Sequence, residues 1–519
     1  MKNSLISSWS KFSLLPILLI SLLAGLTYIR GLNNSFVAED FTLLSISSQT
    51  FAEMWQYMIS FTRMLLVFIS FGWALFRLCG TNPIGCHLVI LVLHVGVSLL
   101  LFHVASLLSG DKRIGFISAL VYAVYPRHHQ PVLWLAAASE MVLVAFFSLI
   151  CIYTFKKYLS TRWLGWQILT LLSLSVAILS HEVGTILFPL LPLIELLLHS
   201  EERNARAWFA FRFYYKYIPY LVLFGLYFLV TFGGARLFKL STDLTEKQLT
   251  AEGFQYETYH LTGLSIYGIK DMLAYLTYLA YPQIPLRLLD PNLLTAMLAL
   301  VTSLFLLFLL VKGSPIMRFS ILWMVLAILP FVLFVPFGNA DRYFYLPAAG
   351  FSILVGTLAY QGYDKLKARW PSWGQVILVC LLASYLVSSI ILIQQRIGEW
   401  RQAGEIAADV VGQAKRLYPN VPPESTMLFV ALPEQYKQAY VFLGGGIGGA
   451  VYLAYGAQPS APRAYQTRDP AVSSFLKKAE PVDHPLPGLY VFLYENGILY
   501  DKSNVVSSLE PLRKGTWSR

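Results

Sequence analysis

Charge is what this sequence has little of. Only 13% of its 519 residues are Asp, Glu, Lys or Arg, about half the share of a soluble globular protein. That scarcity excludes a chain of roughly three or four soluble domains, the number its length alone would suggest. It excludes intrinsic disorder as well. Cysteine is also scarce. Cys79, Cys86, Cys151 and Cys380 lie in or beside apolar runs, with no CxxC spacing, so neither a disulfide framework nor a zinc site is expected. Internal repeats are missing. No tetratricopeptide period appears, which argues against a solenoid, and no symmetric pair of broken helices appears, which argues against a repeat-built transporter.

What is there is hydrophobic. Apolar residues make up 56% of the chain and mean hydropathy is +0.59. A helix needs about 20 apolar residues to cross a bilayer core. The strongest runs are 12–30, 84–108, 114–125, 132–155, 163–179, 182–199, 217–233, 294–312, 319–337, 342–361 and 374–395. They predict a polytopic, all-α membrane protein with about eleven transmembrane helices. The first run follows Lys2 and Lys11 without a small-residue cleavage site, and reads as an uncleaved helix rather than a signal peptide. Residues 61–79 and 264–281 carry charges and tyrosines, and are read as interfacial segments that do not cross.

The net charge of +11 fits the positive-inside rule and requires no nucleic acid. With eleven crossings and the N-terminus inside, the clusters Lys112–Arg113, Lys156–Lys157–Arg162, Arg203 to Lys216, Lys312–Arg318 and Lys365–Arg369 all fall in cytoplasmic loops. The segments 31–83, 125–131, 180–182, 234–293 and 338–342 then face outwards. This is the pattern of an integral multi-pass membrane protein with its N-terminus inside. The transmembrane domain is read as 1–395, followed by a helical connector over 396–419. Residues 420–519 alternate like strands, with a hairpin signal at Glu495–Asn496–Gly497, and are read as a small extracytoplasmic α/β domain.

Ionisable residues collect in the outward segments. Glu39 and Asp40 follow the first helix directly. Adjacent carboxylates at a membrane surface serve as a general base or a cation ligand, or form an ordinary solvated loop. In Tyr125–Pro126–Arg127–His128–His129–Gln130–Pro131, two prolines free backbone groups that must be satisfied by protein or by a water-filled cavity. Its cationic side chains suit a phosphate or sugar, against the alternative of an interfacial loop anchored by Tyr125 and Trp134. Glu140 follows one turn and a half later. Ser180–His181–Glu182 is either a polar contact or a tight turn with Glu182 in the next helix's first turn. In Asp341–Arg342–Tyr343–Phe344–Tyr345, Arg342 suits bidentate phosphate recognition, and Tyr345 belongs to aromatics fit to line an acyl groove. Arg342 and Arg63 both have snorkelling as the structural alternative.

Taken in order, these segments resemble a known group. The acidic pair, Arg63, His87 and His94 in "NPIGCHLVILVLH", then "YPRHHQPVLWLAAASE", "LSHEVGTILFPL" and "DRYFYLPAAGF" are similar to the membrane half of the TMTC proteins. Those belong to the GT-C superfamily, together with the protein O-mannosyltransferases. The likeness runs from about residue 30 to 360. It implies transfer of a sugar from a polyprenyl-phosphate carrier to an acceptor outside the membrane, with a carboxylate base in the first external loop, here Glu39 or Asp40. The chain departs from the group at Tyr125, Gln130 and His181, where the relatives have His, Glu and Lys. It also lacks the tetratricopeptide repeats of the eukaryotic relatives.

The expected reaction is therefore an inverting glycosyl transfer. Asp40 or Glu39 takes the acceptor's proton. Arg342, Arg63, Arg127 and His128 stabilise the leaving lipid phosphate, and Glu140, His181 and Glu182 orient cations or bind sugar hydroxyls. The acceptor, whether protein, lipid or glycan, is open. No cofactor is required, although the acidic pair would also accept a divalent cation. The rival readings are a flippase for lipid-linked sugars and a non-catalytic membrane scaffold acting through 420–519.

Overall fold

A computed structural model describes residues 14–60, 66–199, 215–230, 266–283, 293–334, 340–370, 373–458, 460–508 and 512. Arg63 and most of the 234–293 loop lie outside them. The chain begins with α1 (Leu14–Tyr28), which a 3-10 turn extends to Asn33. Three short helices follow: α2 (Asp40–Ser47), α3 (Phe51–Ser60) and α4 (Leu66–Cys79). The membrane bundle is then α5 (Pro83–Ser109), α6 (Lys112–Ala123), the single turn α7 (His129–Leu133), α8 (Leu135–Thr161), α9 (Leu164–Ser180) and α10 (Leu187–Leu198). It continues with α11 (Ile218–Phe228), α12 (Ile266–Ala280), α13 (Leu293–Lys312), α14 (Pro315–Phe334), α15 (Pro347–Arg369) and α16 (Gly374–Leu417).

Six helices among the described residues have the length and apolarity to cross a membrane: Leu14–Asn33, Pro83–Ser109, Leu135–Thr161, Leu293–Lys312, Pro315–Leu333 and Gly374–Leu417. Their outer faces explain the composition. Leu18, Leu22, Leu300, Leu304, Leu307 and Leu381 are all exposed, as lipid-facing side chains must be where water does not drive packing. Helix α8 is the reverse, buried on nearly every side. Local sequence sets the ends. Asn82 caps α5, accepting the Ile84 amide at 3.1 Å, with Pro83 in the first turn. The helix stops at Gly110, whose φ of 76° is the left-handed conformation glycine tolerates. The 114–125 run is too short to be a whole span, and α6 covers only Lys112–Ala123. Likewise the 342–361 run begins as a 3-10 turn over Asp341–Phe344 before α15 starts at Pro347.

Residues 396–419 are no separate connector element. They belong mostly to α16, a single helix of 44 residues, about 66 Å long at 1.5 Å per residue. It carries the chain out of the bundle and into an α/β unit. There, β1 (Thr426–Val430) pairs in parallel with both β4 (Arg463–Thr467) and β5 (Leu489–Glu495), and β6 (Ile498–Asp501) pairs antiparallel with β5. The order is β4-β1-β5-β6. The β5–β6 hairpin turns at Asn496 and Gly497, with φ of 49° and 88°, as the Asn-Gly pair leads one to expect. Between β1 and β4 lie a two-stranded ribbon, β2 (Gln435–Tyr436) and β3 (Ala439–Tyr440), and then α17 (Gly446–Ala454). Helix α18 (Pro470–Lys478) joins β4 to β5.

The sheet has two different faces. Met427, Phe429 and Phe492 belong to one hydrophobic core continuous with the membrane bundle. Leu428, Val430, Val491 and Leu493 form a separate cluster with Val472 and Leu476 of α18. The α/β unit is thus packed onto the bundle through α16 and α17.

Candidate active site

The site is built at the end of the bundle where α1 finishes and α8 begins. The loop from Asn34 to Glu39 is locked by Asp40, which is fully buried. One oxygen, Oδ1, accepts the Ala136 amide at 2.8 Å and the other, Oδ2, accepts the Val37 amide at 3.2 Å. Ala136 is in the first turn of α8, so Asp40 serves an orphan amide at a helix N-terminus. Its neighbour is placed differently. Glu39 is half-buried, and its Oε2 is buried without a hydrogen-bond partner. Burial raises the Glu39 carboxyl to about 7, with the nearby Arg342 pulling the other way. Burial raises Asp40 to about 8 against the pull of its two amides. Adjacent carboxyls so placed do not both ionise readily at neutral pH.

Arg342 stands opposite. Its amide donates to Gln130 Oε1 at 3.0 Å, and its Nη2 to the Tyr343 hydroxyl at 3.2 Å. The guanidinium lies 5.1 Å from the Trp134 ring centre and 4.8 Å from that of Tyr343. Its Nη1 is buried without a hydrogen-bond partner. Burial works against the charge, but Tyr343, Glu140, Tyr440 and Glu39 outweigh it, and Arg342 stays cationic. Glu140 acts electrostatically on both Glu39 and Arg342, which places it beside them.

A second polar assembly lies alongside, and both oxygens of its carboxylate are paired, although Arg127 Nε keeps no partner. Asp341 receives Arg127 Nη1 at 2.6 Å and His129 Nε2 at 2.7 Å. Trp400 Nε1 donates to His129 Nδ1 at 2.9 Å. Indole is only a donor, so Nδ1 must be the acceptor and Nε2 must carry the proton to Asp341. Burial opposes the Asp341 charge, yet Arg127 and the His129 hydrogen bond hold its carboxyl well below the usual range. Arg127 also lies over the Tyr278 and Phe344 rings.

The other candidates separate in the same way. His128 is fully buried among the rings of Tyr122, Tyr125, Tyr345 and His94, and burial keeps it neutral. Tyr345 is equally buried, its hydroxyl 2.8 Å from His94 Nδ1. These two are interior groups. His181 caps the turn after α9, accepting the Val183 amide at 3.1 Å, with Glu182 Oε2 3.7 Å away. Its ring faces Phe331, which stacks on Tyr343, so the His181–Glu182 turn backs the wall that holds Arg342.

The α/β unit also reaches the site, which sequence spacing did not indicate. Tyr440 packs on Trp134 with ring centres 5.0 Å apart. A side chain at Gly444 would begin 3.3 Å from Glu39 Oε1. His129, Trp400 and Tyr440 are thereby added to the candidate residues. His129 and Trp400 are 271 positions apart, and nothing local marks the three. Among the described residues, no three His, Cys, Asp or Glu side chains come together as a metal-ligand set.

The bundle and its docked α/β unit are similar to a solved structure, the apo oligosaccharyltransferase of Archaeoglobus fulgidus. The TM-score is 0.52 at 11% identity, over 90% of this chain and 67% of that one. This chain thus spans about two thirds of the archaeal enzyme's length. ArnT of Cupriavidus metallidurans bound to undecaprenyl phosphate overlaps with a TM-score of 0.43 at 12% identity, over 93% of each chain. No family model and no curated protein matches the sequence. At this identity the likeness to the archaeal enzyme is one of fold. The protein is an integral membrane protein with a small C-terminal α/β unit.

Proposed function

We propose that this protein transfers a sugar from a polyprenyl-phosphate carrier to an acceptor hydroxyl, with inversion, and that Glu39 is the base. The observation that carries this reading is a pair of unsatisfied groups whose side chains are near enough to act on each other electrostatically, Glu39 Oε2 and Arg342 Nη1. A buried donor and a buried acceptor without partners are costly, and a ligand that binds both relieves the cost. In the proposed step the acceptor oxygen gives its proton to Glu39 and bonds to the anomeric carbon. The bond from that carbon to the phosphate oxygen breaks, and Arg342 takes up the charge left on the lipid phosphate. Asp40, held by two amides, fixes the backbone from which Glu39 extends. A base poised near neutral pH suits the task, and the shared GT-C fold supports the class of reaction.

The site end is read as extracytoplasmic. Lys112, Arg113, Lys156, Lys157, Lys312, Arg318, Lys365 and Arg369 lie at the opposite ends of the helices that lead to it, which is the positive-inside arrangement. In a cysteine-free background, Lys502→Cys should react with an impermeant maleimide in intact cells, and Lys367→Cys should not.

The test of function is release of polyprenyl phosphate from a panel of polyprenyl-phosphate sugars by purified protein. Glu39→Gln should lower turnover by about 10²–10⁴-fold. Turnover near that of the parent protein would sink the assignment of the base. A chelator should leave turnover unchanged. Its loss would point instead to a cation held by Glu39 and Glu140.

A further inference from the structure

The geometry points to the glycine-rich segment of the α/β unit as the seat that positions Glu39, with Gly446 and Gly449 as positioning residues for the proton transfer. The inference rests on the function proposed above. The segment "LGGGIGGAVY" (443–452) is no loose linker. Its second half is α17, which lies across α2, and Gly446, Ile447, Gly449, Ala450 and Val451 are buried.

The approach is too close for any side chain. A Cβ on Gly446 would stand 2.4 Å from the Ala38 carbonyl oxygen, and one on Gly449 would stand 2.4 Å from that of Phe41. Both obstacles are backbone, so no side-chain rotation relieves the clash. The seated loop is itself held. Ala38 donates its amide to the Val441 carbonyl at 3.0 Å. Ala38 also has a φ of 47°, a strained value for alanine, which persists only where its surroundings impose it.

The seat is braced in turn from the sheet. Just beyond β4, Arg468 Nη2 donates to the Phe442 carbonyl at 2.6 Å and Nε to the Leu432 carbonyl at 3.1 Å. On β4, Gln466 donates to the Gly444 carbonyl at 3.2 Å. The backbone of 38–40 is therefore clamped between two bodies: Asp40 ties it to α8 on the membrane side, and the glycine segment ties it to the sheet. Glu39 projects from the middle of this clamp. A methyl group on Gly446 or Gly449 lifts the seat and lets water reach the carboxylate, with Arg342 untouched.

The experiment compares Gly446→Ala, Gly449→Ala and Gly444→Ala with the parent protein and with Gly398→Ala. Gly398 is exposed on α16, a methyl group added there would meet nothing within 4 Å, and it serves as the control. Gly446→Ala and Gly449→Ala should each lower kcat by about 10²-fold, with KM for the lipid donor little changed. Gly444→Ala meets only the Glu39 side chain. The φ of 55° at Gly444 adds backbone strain for alanine, a milder change than the two backbone clashes, and the variant keeps the fold testable if those destabilise it. It should lower kcat by several-fold.

The second readout needs no turnover. Carbodiimide labelling of Glu39, followed by mass spectrometry across pH, should show a midpoint of about 7 in the parent protein, falling towards the ordinary 4.5 in the variants. Parent-like kcat and midpoint in all three variants would overturn the inference. If the parent protein turns over none of the donors, the function fails while the labelling midpoints still decide whether the glycine segment positions Glu39.

Discussion

Two assemblies of the same chemical kinds lie side by side at one end of the bundle. Around Asp341, a carboxylate, an arginine, a histidine and a tryptophan use one another's hydrogen bonds. Around Glu39, a carboxylate and an arginine are brought close, and each keeps a buried atom unsatisfied. Both sets are embedded in aromatic rings, so burial does not distinguish them. The carboxylate does. With both oxygens paired, Asp341 fixes the fold of the segments it ties together, here 127–130, 341–342 and the middle of α16, even though Arg127 Nε is left without a partner. With one oxygen buried and unpaired, Glu39 keeps capacity for a molecule that is not part of the chain.

The sharpest way to break this contrast is to neutralise one carboxylate in each assembly. Glu39→Gln should remove about 10²–10⁴-fold of turnover while leaving thermal stability in detergent intact. Asp341→Asn should do the reverse in kind. It strips Arg127 of its buried partner, and should lower unfolding stability by about 3–5 kcal/mol, read as a fall in melting temperature. If both variants lose only activity, the Asp341 cluster is part of the chemistry.

Acidity provides a second contrast, because the two carboxyls shift in opposite directions. Glu39 is raised to about 7, so turnover should climb with pH through about 7. Its contribution to stability is present below about 4.5, its ordinary value, and is lost as pH rises through 7. Asp341 is depressed. Its contribution is present above the unfolded value of about 3.9 and is lost as pH falls below that towards the folded value. Melting curves of the parent and of Asp341→Asn, compared from pH 8 to pH 3, should therefore begin to approach one another below about pH 4 without meeting. The smallest effect belongs to Trp400→Phe. It removes one donor from His129 and should lower stability by about 1 kcal/mol, with turnover little changed.

Much of this was legible in the sequence, for identifiable reasons. The spans, the acidic pair, Arg342 and the Asn-Gly hairpin declare themselves through composition or local spacing. What the sequence concealed was which partner each residue finds. His128 and His129 are adjacent and alike, yet one is buried among rings and the other bonds Asp341, 212 positions away. Spacing offers Arg342 first and Arg127 behind it as cations for the phosphate, and only packing shows that Arg127 is committed to Asp341. Nothing local in the glycine segment separates a flexible binding element from a helix-breaking loop. Its close approach to Ala38 and Phe41 joins elements some 400 residues apart, and no local pattern encodes that.

Helix α16 has a mechanical consequence. One unbroken rod of 44 residues passes from the lipid-facing part of the bundle to the sheet that braces Glu39. At about 66 Å in length, it acts as a lever, and a tilt of roughly 1° at its membrane end displaces the far end by roughly 1 Å. Helices answer a mismatch with bilayer thickness by tilting. A tilt of α16 imposed by the bilayer would reach the sheet that braces Glu39, and turnover in lipids of different acyl-chain length measures whether the bundle holds the rod fixed.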